Sequence, residues 1–365
     1  MPIVIESGQL ARAMKSAATV VERGTQPILA NVRLRTVDGM VEIATTNLDV
    51  EFRQLVSLAV PGEIDTTIEA QKLLAIANAA EGAQVKLTQE DGRVIAQAGR
   101  SRWVLPSLES QWFTELPFDG QSAPVNIGGA ALARIFSRVG WSICTEETLW
   151  WLCGVYVDPE PTANGAVMRF TTATKATFAS VISDVPWPEG AAPITIASKC
   201  VRLMEGLVAD HDEVAIAWDK SKIRITAGDA QLTGKLIDGP FPAYRNAYNF
   251  ATEEPVLVDP EALRKAIKRI EIVGLDKSRS IAVDVQEGAL EVRPAGNGAG
   301  EASEHVPASC QPRHRSGFDG RLLSEALRCV GGDTVEIHQA SPTTSALLRR
   351  AVDDGVMCGL GPMSL

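Results

Sequence analysis

A chain of 365 residues with 45 acidic against 35 basic side chains carries a net charge of -10, which excludes a protein that coats nucleic acid with its whole surface. It leaves open one that confines its basic residues to an inner face. At 45% hydrophobic and 22% charged the composition is globular, and the length suits two or three domains, with no apolar run long enough to span a membrane.

In chain order, the opening MPIVIESGQL lacks the basic region and long apolar stretch of a signal peptide, so the chain reads as cytoplasmic. A short strand, Ile3 to Ile5, leads into GQLARAMKSAATVV, where Leu10, Ala13, Met14 and Ala17 form an apolar stripe and Arg12 and Lys15 point away. Strands are expected at Ile28 to Leu34, Val41 to Thr45 and Val50 to Leu58, with Asp38-Gly39 as the hairpin turn. IDTTIEAQKLLAIANAA then reads as a strand entering a second helix, VKLTQEDGRVIAQA as a hairpin, and RSRWVL as a closing strand. After the loop LPFDGQSAP the plan restarts with VNIGGAALARIFSRVG, whose stripe is Leu132, Ile135, Phe136 and Val139. Strands Val155 to Val157, Val167 to Thr172 and Ala179 to Ser183 follow, then the strand-helix ITIASKCVRLMEGLVA and the hairpin EVAIAWDKSKIRITAG. A linker, RNAYNFATEEP, precedes the most marked helix of the chain, Asp259 to Leu275. Asp259 caps it, Pro260 suits its first position and Gly274 its stop, while Leu263, Ala266, Ile267 and Ile270 oppose Arg264, Lys265, Lys268 and Arg269. IAVDVQEGALEVRP, the helix DGRLLSEALRCVGG, TVEIHQ and GVMCGLGPMSL close the chain.

Aligning Leu10, Leu132 and Leu263 puts Arg12, Arg134 and Lys265 in register two positions on. A period of about 120 residues is too long for a solenoid and means three similar domains, at 1–120, 124–247 and 254–365. Each carries two helices packed on antiparallel sheets, an α+β class. The six helices hold Arg12, Lys15, Lys72, Arg134, Arg138, Lys199, Arg202, Arg264, Lys265, Lys268, Arg269, Arg321 and Arg328 against three acids beyond their N-termini, Glu205, Glu271 and Glu325. A repeated cationic helix face on an acidic body points to phosphate contact on one surface.

Catalysis lacks its parts: there is no Walker motif, GxSxG or HExxH. The glycine-rich GNGAGEAS at Gly296 to Ser303 sits between two expected strands and reads as a hairpin loop. Asp353-Asp354 and Glu253-Glu254 read as solvated turns. Cys144, Cys153, Cys200, Cys310, Cys329 and Cys358 form no CxxC, and with four scattered histidines they read as free thiols with no metal site. No catalytic residue, cofactor or metal is expected.

Four stretches resemble the bacterial sliding clamps, the β subunits of DNA polymerase III. They are RGTQPILANVRLRTVDGMVEIATTNLDVEF, AGRSRWVLPSL, IDGPFPAYR and the terminal GPMSL, in the family's order and spacing. The resemblance covers the whole chain and implies three clamp domains forming a head-to-tail ring dimer, with strands outside and helices lining a hole for duplex DNA. It implies a non-catalytic processivity factor whose partners are double-stranded DNA held without sequence preference, a second copy of the chain, the polymerase III catalytic subunit, the clamp loader and other proteins with clamp-binding motifs. The DNA-facing set is then Arg12, Lys15, Arg23, Lys72, Arg134, Arg138, Lys199, Arg202, Lys265 and Lys268. The ring interface takes Ile272 and Val273 as its apolar centre, with Lys72, Arg100 and Arg102 facing Glu301 and Glu304. By position, the family's peptide pocket falls on Leu152, Thr174, Phe178, Pro242, Tyr244, Leu360, Pro362 and Met363.

The chain also departs from the pattern. TTATKATFAS replaces a Thr-Asp-Gly-His-Arg-Leu-like run, and Asn246 follows Tyr244-Arg245 where a second arginine is usual. With Gly359 and Gly361 beside Leu360, a mobile tail and weaker peptide capture are expected. The rival reading is a clamp paralogue that sequesters partners or serves repair or drug resistance.

Overall fold

The computed structural model describes residues 1–22, 24, 26–80, 84–120, 122–252, 254–273, 279–295, 301–352 and 355–365, with the backbone alone for 247–249. One plan of eight strands and two helices recurs three times. The first copy runs β1 (Ile3–Glu6), α1 (Ser7–Val20), β2 (Asn31–Val37), β3 (Met40–Thr46), β4 (Val50–Ser57), β5 (Asp65–Glu69), α2 (Ala70–Ala79), β6 (Gln84–Glu90), β7 (Arg93–Ala98) and β8 (Ser101–Leu108). The second runs β9 (Val125–Gly128), α3 (Gly129–Val139), β10 (Gly154–Thr162), β11 (Gly165–Ala173), β12 (Thr177–Pro186), β13 (Ile194–Ala197), α4 (Ser198–Val208), β14 (Glu213–Trp218), β15 (Lys222–Ala227) and β16 (Ala230–Lys235). The third runs β17 (Val256–Val258), α5 (Pro260–Ile270), β18 (Ser280–Gln286), β19 (Ala289–Pro294), β20 (Glu304–Ser309), β21 (Arg315–Asp319), α6 (Gly320–Val330), β22 (Val335–His338), β23 (Ala346–Arg350) and β24 (Met357–Leu360).

In every copy the first strand pairs the sixth, which continues through the seventh to the eighth; the fifth pairs the second, which continues through the third to the fourth. All these pairings are antiparallel. The chain divides into two compact units, one of Met1–Ala133, Pro188–Ala191 and Lys199–Leu236, the other of Arg134–Trp187, Ala192–Ser198 and Ile237–Leu365. Within the first unit β4 pairs β16, from Val50↔Gly234 to Gln54↔Ala230, and fuses the strands into one sheet of twelve. Within the second, β12 pairs β24, from Thr177↔Leu360 to Ser180↔Met357, and a second sheet of twelve results.

The helices follow their apolar periodicity. Leu10, Ala13, Met14 and Ala17 of α1 are buried, as are Leu263, Ala266, Ile267 and Ile270 of α5. Each large side chain so buried contributes about 1.5–3 kcal/mol. The Asp38-Gly39 hairpin forms with both residues in the left-handed region, φ 49° and 78°, as a tight two-residue β-turn of that hand requires.

Some boundaries differ from the sequence expectation. Ile28 to Ala30 belong to a 3-10 turn, Pro27–Ala30, because Pro27 presets its first position; the strand begins only at Asn31. The linker after Tyr244 is not open chain but a 3-10 turn, Tyr244–Phe250. The marked helix stops at Ile270, where backbone bonds from Ile272 to Arg269 and from Val273 to Ile270 tighten its end into turns. Gly274, the expected stop, lies outside the described residues, as do Glu253, Gly296 to Gly300 and Asp353-Asp354.

Candidate nucleic-acid interface and partner groove

Every helix follows directly on a strand, so its register is fixed from the first residue and its apolar stripe is committed to the sheet. The opposite face must then carry whatever the sequence places there. On that face Arg12 and Lys15 of α1, Lys72 of α2, Arg134 of α3, Arg202 of α4 and Lys265 and Lys268 of α5 are exposed, with Arg138 and Lys199 half-buried. Arg23 lies outside the described residues.

Ion pairing sorts these cations. Lys72 pairs Glu69, Lys199 pairs Glu22, Arg264 pairs Glu261, Arg269 pairs Glu304 and Arg328 pairs Glu325. Among the described residues Arg12, Lys15, Arg134, Arg138, Arg202, Lys265 and Lys268 have no carboxylate partner. With Arg321 of α6, which is exposed and likewise has none, these eight uncompensated cations on helix faces of a chain of net charge -10 are the residues most available to phosphates.

Of the interface candidates only Arg102 and Glu304 lie on strands, while Lys72 is on α2 and Ile272 and Val273 are in the turn after α5. Arg102 lies on β8, Arg100 just before it, Glu304 on β20, and Glu301 shortly before that strand. Ile272 is 78% exposed, so it belongs to no helix core. Glu304 is already held by Arg269 of the same chain, an intrachain partner the sequence did not suggest. A cleft of about 1510 Å³ in the first unit, lined in part by Ile28, Arg35, Asp65, Leu108 and Trp112, was also not foreseen.

The peptide-pocket candidates divide. Leu152 and Phe178 meet in one apolar cluster with Cys144, Ala173 and Leu347, flanked by Trp151, Cys153, Phe241 and Met357. Thr174 turns the β11–β12 hairpin beside them: its hydroxyl accepts from the backbone of Ala176 and Thr177 and meets the Thr177 hydroxyl, which also meets Ser142 at 2.8 Å. Leu360 is 1% exposed and opposite Thr177 on the sheet. Tyr244 is instead drawn to Asp158, to which its hydroxyl donates at 2.8 Å, and Arg245 bonds both Asp158 and Glu160. The link back to the cluster is Phe241, stacked on Tyr156 at 4.5 Å and edge-on to Tyr244. Pro242 is exposed between them.

The charges around Tyr244 are fixed by their neighbours. Burial, then the Asp158 carboxylate, pushes the Tyr244 hydroxyl well above the ordinary phenol range, so it stays a neutral donor. Burial works against ionisation of Glu160, but hydrogen bonds from Arg169 and Arg245 outweigh it and hold the carboxyl low. These bonds form a structural clamp on the loop.

The tail corrects an expectation. Gly361 donates to the Ala176 carbonyl at 2.6 Å and Met363 to that of Gly317 at 2.8 Å, so the last residues are pinned at two points. Gly359 loosens nothing: it faces the Phe178 ring so closely that a Cβ would overlap the ring at Cε1. Pro362 and Met363 are half-buried. Sequence reasoning missed Cys144, Leu347 and Phe241 as cluster members, because contacts this distant in the chain leave no periodic trace. Among the described residues no group of His, Cys, Asp and Glu could hold a metal ion, and no helix is long and apolar enough to cross a membrane.

Comparison with known proteins matches the chain to three models: the N-terminal domain of the DNA polymerase III beta subunit over residues 1–117, its central domain over 126–243 and its C-terminal domain over 251–364. A beta sliding clamp of Caulobacter vibrioides is 31% identical over 378 residues, with each chain covered completely. The DNA polymerase sliding clamp of Caulobacter crescentus superposes with a TM-score of 0.93 at 28% identity, covering all of both chains. A Pseudomonas aeruginosa sliding clamp solved with griselimycin gives 0.92 at 25% identity, again over all of both chains.

Proposed function

The chain belongs to the DNA polymerase III beta subunit family, and we propose on that footing that it is a sliding clamp: a non-catalytic, head-to-tail ring dimer that encircles duplex DNA and tethers the replicative polymerase in the cytoplasm. One observation carries the ring. The fourth strand of the first repeat pairs the eighth of the second, and the fourth of the second pairs the eighth of the third. The same rule leaves the fourth strand of the third repeat, β20, and the eighth of the first, β8, to be matched. Among the described residues β8 pairs β7 along Ser101 to Pro106 and meets β5 only at Ser107 and Leu108; β20 pairs β19 and meets β17 only at Ala308 and Ser309. Joining β20 of one protomer to β8 of the next satisfies both edges, and doing so twice closes a dimer.

In that joint Ile272 and Val273 supply the apolar centre, and Lys72, Arg100 and Arg102 face Glu301 and Glu304. Exposed ion pairs contribute about 0–1 kcal/mol each, so the apolar contact and the strand hydrogen bonds dominate. The carboxylate-free cations of the helices reach phosphates without reading bases, with Lys72 and Lys199 as secondary members because each already has a partner. The domains are taken as 1–120, 124–247 and 254–365. The cluster around Leu152 and Phe178, bounded by Thr174, Leu360 and the pinned tail and extended by Pro242 and Tyr244, is the site for peptides of the polymerase, the clamp loader and similar partners. Lys175-Ala176 stand where the family's His-Arg donors are usual, so capture is weaker.

The test is retention. Labelled protein loaded on a nicked circular plasmid should stay through gel filtration at moderate salt and leave when the plasmid is cut once. Loss from the circle and the linear form at equal rates would mean binding without encirclement.

A further inference from the structure

One arginine of the second repeat is buried on the sheet face turned away from its helix. Phe170 of β11 meets Phe136 of α3 edge-on at 6.2 Å, so its neighbour Arg169 projects from the opposite face. Strand register sets Asp158 of β10 and Ile182 of β12 beside Arg169 on that face, with Glu160 and Ser180 one step along. Arg169 is 2% exposed, and a charge so buried needs partners in place. Its Nε donates to Glu160 at 2.9 Å, and a terminal nitrogen donates to Ser180 at 2.8 Å and to the Gly355 carbonyl at 3.4 Å. Two further segments meet at this point. The linker from Phe241 to Arg245 lies along β10: Phe241 stacks on Tyr156, Tyr244 bonds Asp158, and Arg245 bonds Asp158, the Pro159 carbonyl at 2.9 Å and Glu160. Arg245 and Arg169 share one oxygen of the Glu160 carboxylate. Gly355, two residues before β24, has φ 74° and packs so closely on Ile182 that a Cβ would overlap that side chain.

We propose that Arg169 is a positioning residue of the peptide groove, holding its two walls in place before any peptide arrives; the consequence for binding rests on the peptide-site reading above. One wall is the linker with Phe241 and Pro242, which Arg169 reaches through Glu160 and Arg245. The other is β24 with Leu360 at its end, which Arg169 reaches at Gly355. Both walls are thus tied to one guanidinium on the second repeat, although they come from segments far apart in the chain. A planar group with five donors can serve three partners in fixed directions, which a lysine ammonium on a flexible stem does not reproduce. Two carboxylates, Asp158 and Glu160, meet two guanidiniums here, so the charges balance beneath the groove. Removing Arg169 leaves Glu160 paired with Arg245 and Ser180 bonded to Thr171, so the sheet survives while the tie between the walls is lost. A groove whose walls are in position only part of the time binds in proportion to that fraction, and the loss falls on association, since contacts in the bound state are unchanged.

Full-length wild type, Arg169→Met, Arg169→Lys, Arg245→Met and the Arg169→Met, Arg245→Met double variant are compared in two measurements. Stopped-flow binding of a labelled peptide from the polymerase III catalytic-subunit tail should show Kd raised at least fivefold in Arg169→Met. That rise should lie in the association rate, with dissociation and the stoichiometry of one peptide per chain unchanged. Arg169→Lys should not restore wild-type affinity, and the double variant should bind no more weakly than Arg169→Met alone, because both arginines act through Glu160. Amide hydrogen exchange without peptide should quicken at least tenfold in residues 241–246 and 357–361 of Arg169→Met and stay unchanged in α3. If Arg169→Met does not fold, Arg169→Lys carries the same two expectations. An unchanged Kd in the folded variant, a loss confined to the dissociation rate, or exchange that quickens equally in α3 overturns the proposal. If wild type does not hold the peptide, the groove reading fails, and exchange confined to the two walls still supports Arg169 as the residue that positions them.

Discussion

At residue scale the first unit is stitched by buried charge. Arg33, 3% exposed, donates to Glu115 at 2.6 Å and Glu42 at 2.8 Å, while its guanidinium lies over Phe113 at 4.6 Å. Hydrogen bonding from Arg33 first, against burial and then with help from Arg53, lowers the Glu115 carboxyl from 4.5 to about 2. A carboxylate depressed on folding stabilises the native state above its ordinary value, and that contribution fades as pH falls from 4.5 through about 2. Melting temperatures of wild type and Glu115→Gln should therefore differ most near neutrality and converge toward pH 2; a constant gap across that range would show that the charge is irrelevant. In the second unit, Gly359→Ala forces a methyl into the Phe178 ring, and overpacking of this kind costs about 1–3 kcal/mol. Urea denaturation should register that loss, and relief by Phe178→Leu in the double mutant would identify the ring as its source.

At the scale of elements, α5 is the best-marked helix because its start is specified three ways: Asp259 accepts from Glu261 at 2.8 Å and Ala262 at 3.2 Å, Pro260 takes the first position, and Glu261 adds charge to the first turn. Glu6, which precedes α1, makes no side-chain cap. Asp259→Ala should cost about 1 kcal/mol in chemical denaturation, and Asp259→Asn should recover most of it. These local signals explain why the sequence alone places the helices, their buried faces, the Asp38-Gly39 turn and the threefold recurrence. Strands without alternation were harder: AQLTGK, which becomes β16, has Gly234 where a Cβ would strike Cys200, and nothing in its composition announces a strand. The groove divided in the same way. Leu152 and Phe178 are named through the resemblance to the clamp family, whereas the bond of Tyr244 to Asp158 joins residues far apart in the chain and has no sequence signal.

For the whole molecule, the joint left open by the strand rule is the one that a second chain must fill. Ile272→Ala with Val273→Ala should give folded monomers in sedimentation, with an unchanged circular dichroism spectrum; an undiminished dimer would move the interface elsewhere. Alanine at Arg12, Arg134 and Lys265 should leave the dimer intact and reduce the salt dependence of DNA binding by about one unit for each phosphate no longer neutralised. The β4–β16 and β12–β24 pairings have another outcome, which concerns how the protein can be cut. The middle repeat contributes β16 to one sheet of twelve and β12 to the other. Expressed as a fragment of residues 124–247, it would carry two bare strands, each with a row of unmet N–H and C=O groups. Such a fragment would aggregate or capture stray strands, and protease nicks at its borders would not release a stable core. The middle repeat, though legible in the sequence as a unit, is thus the least separable piece of the protein.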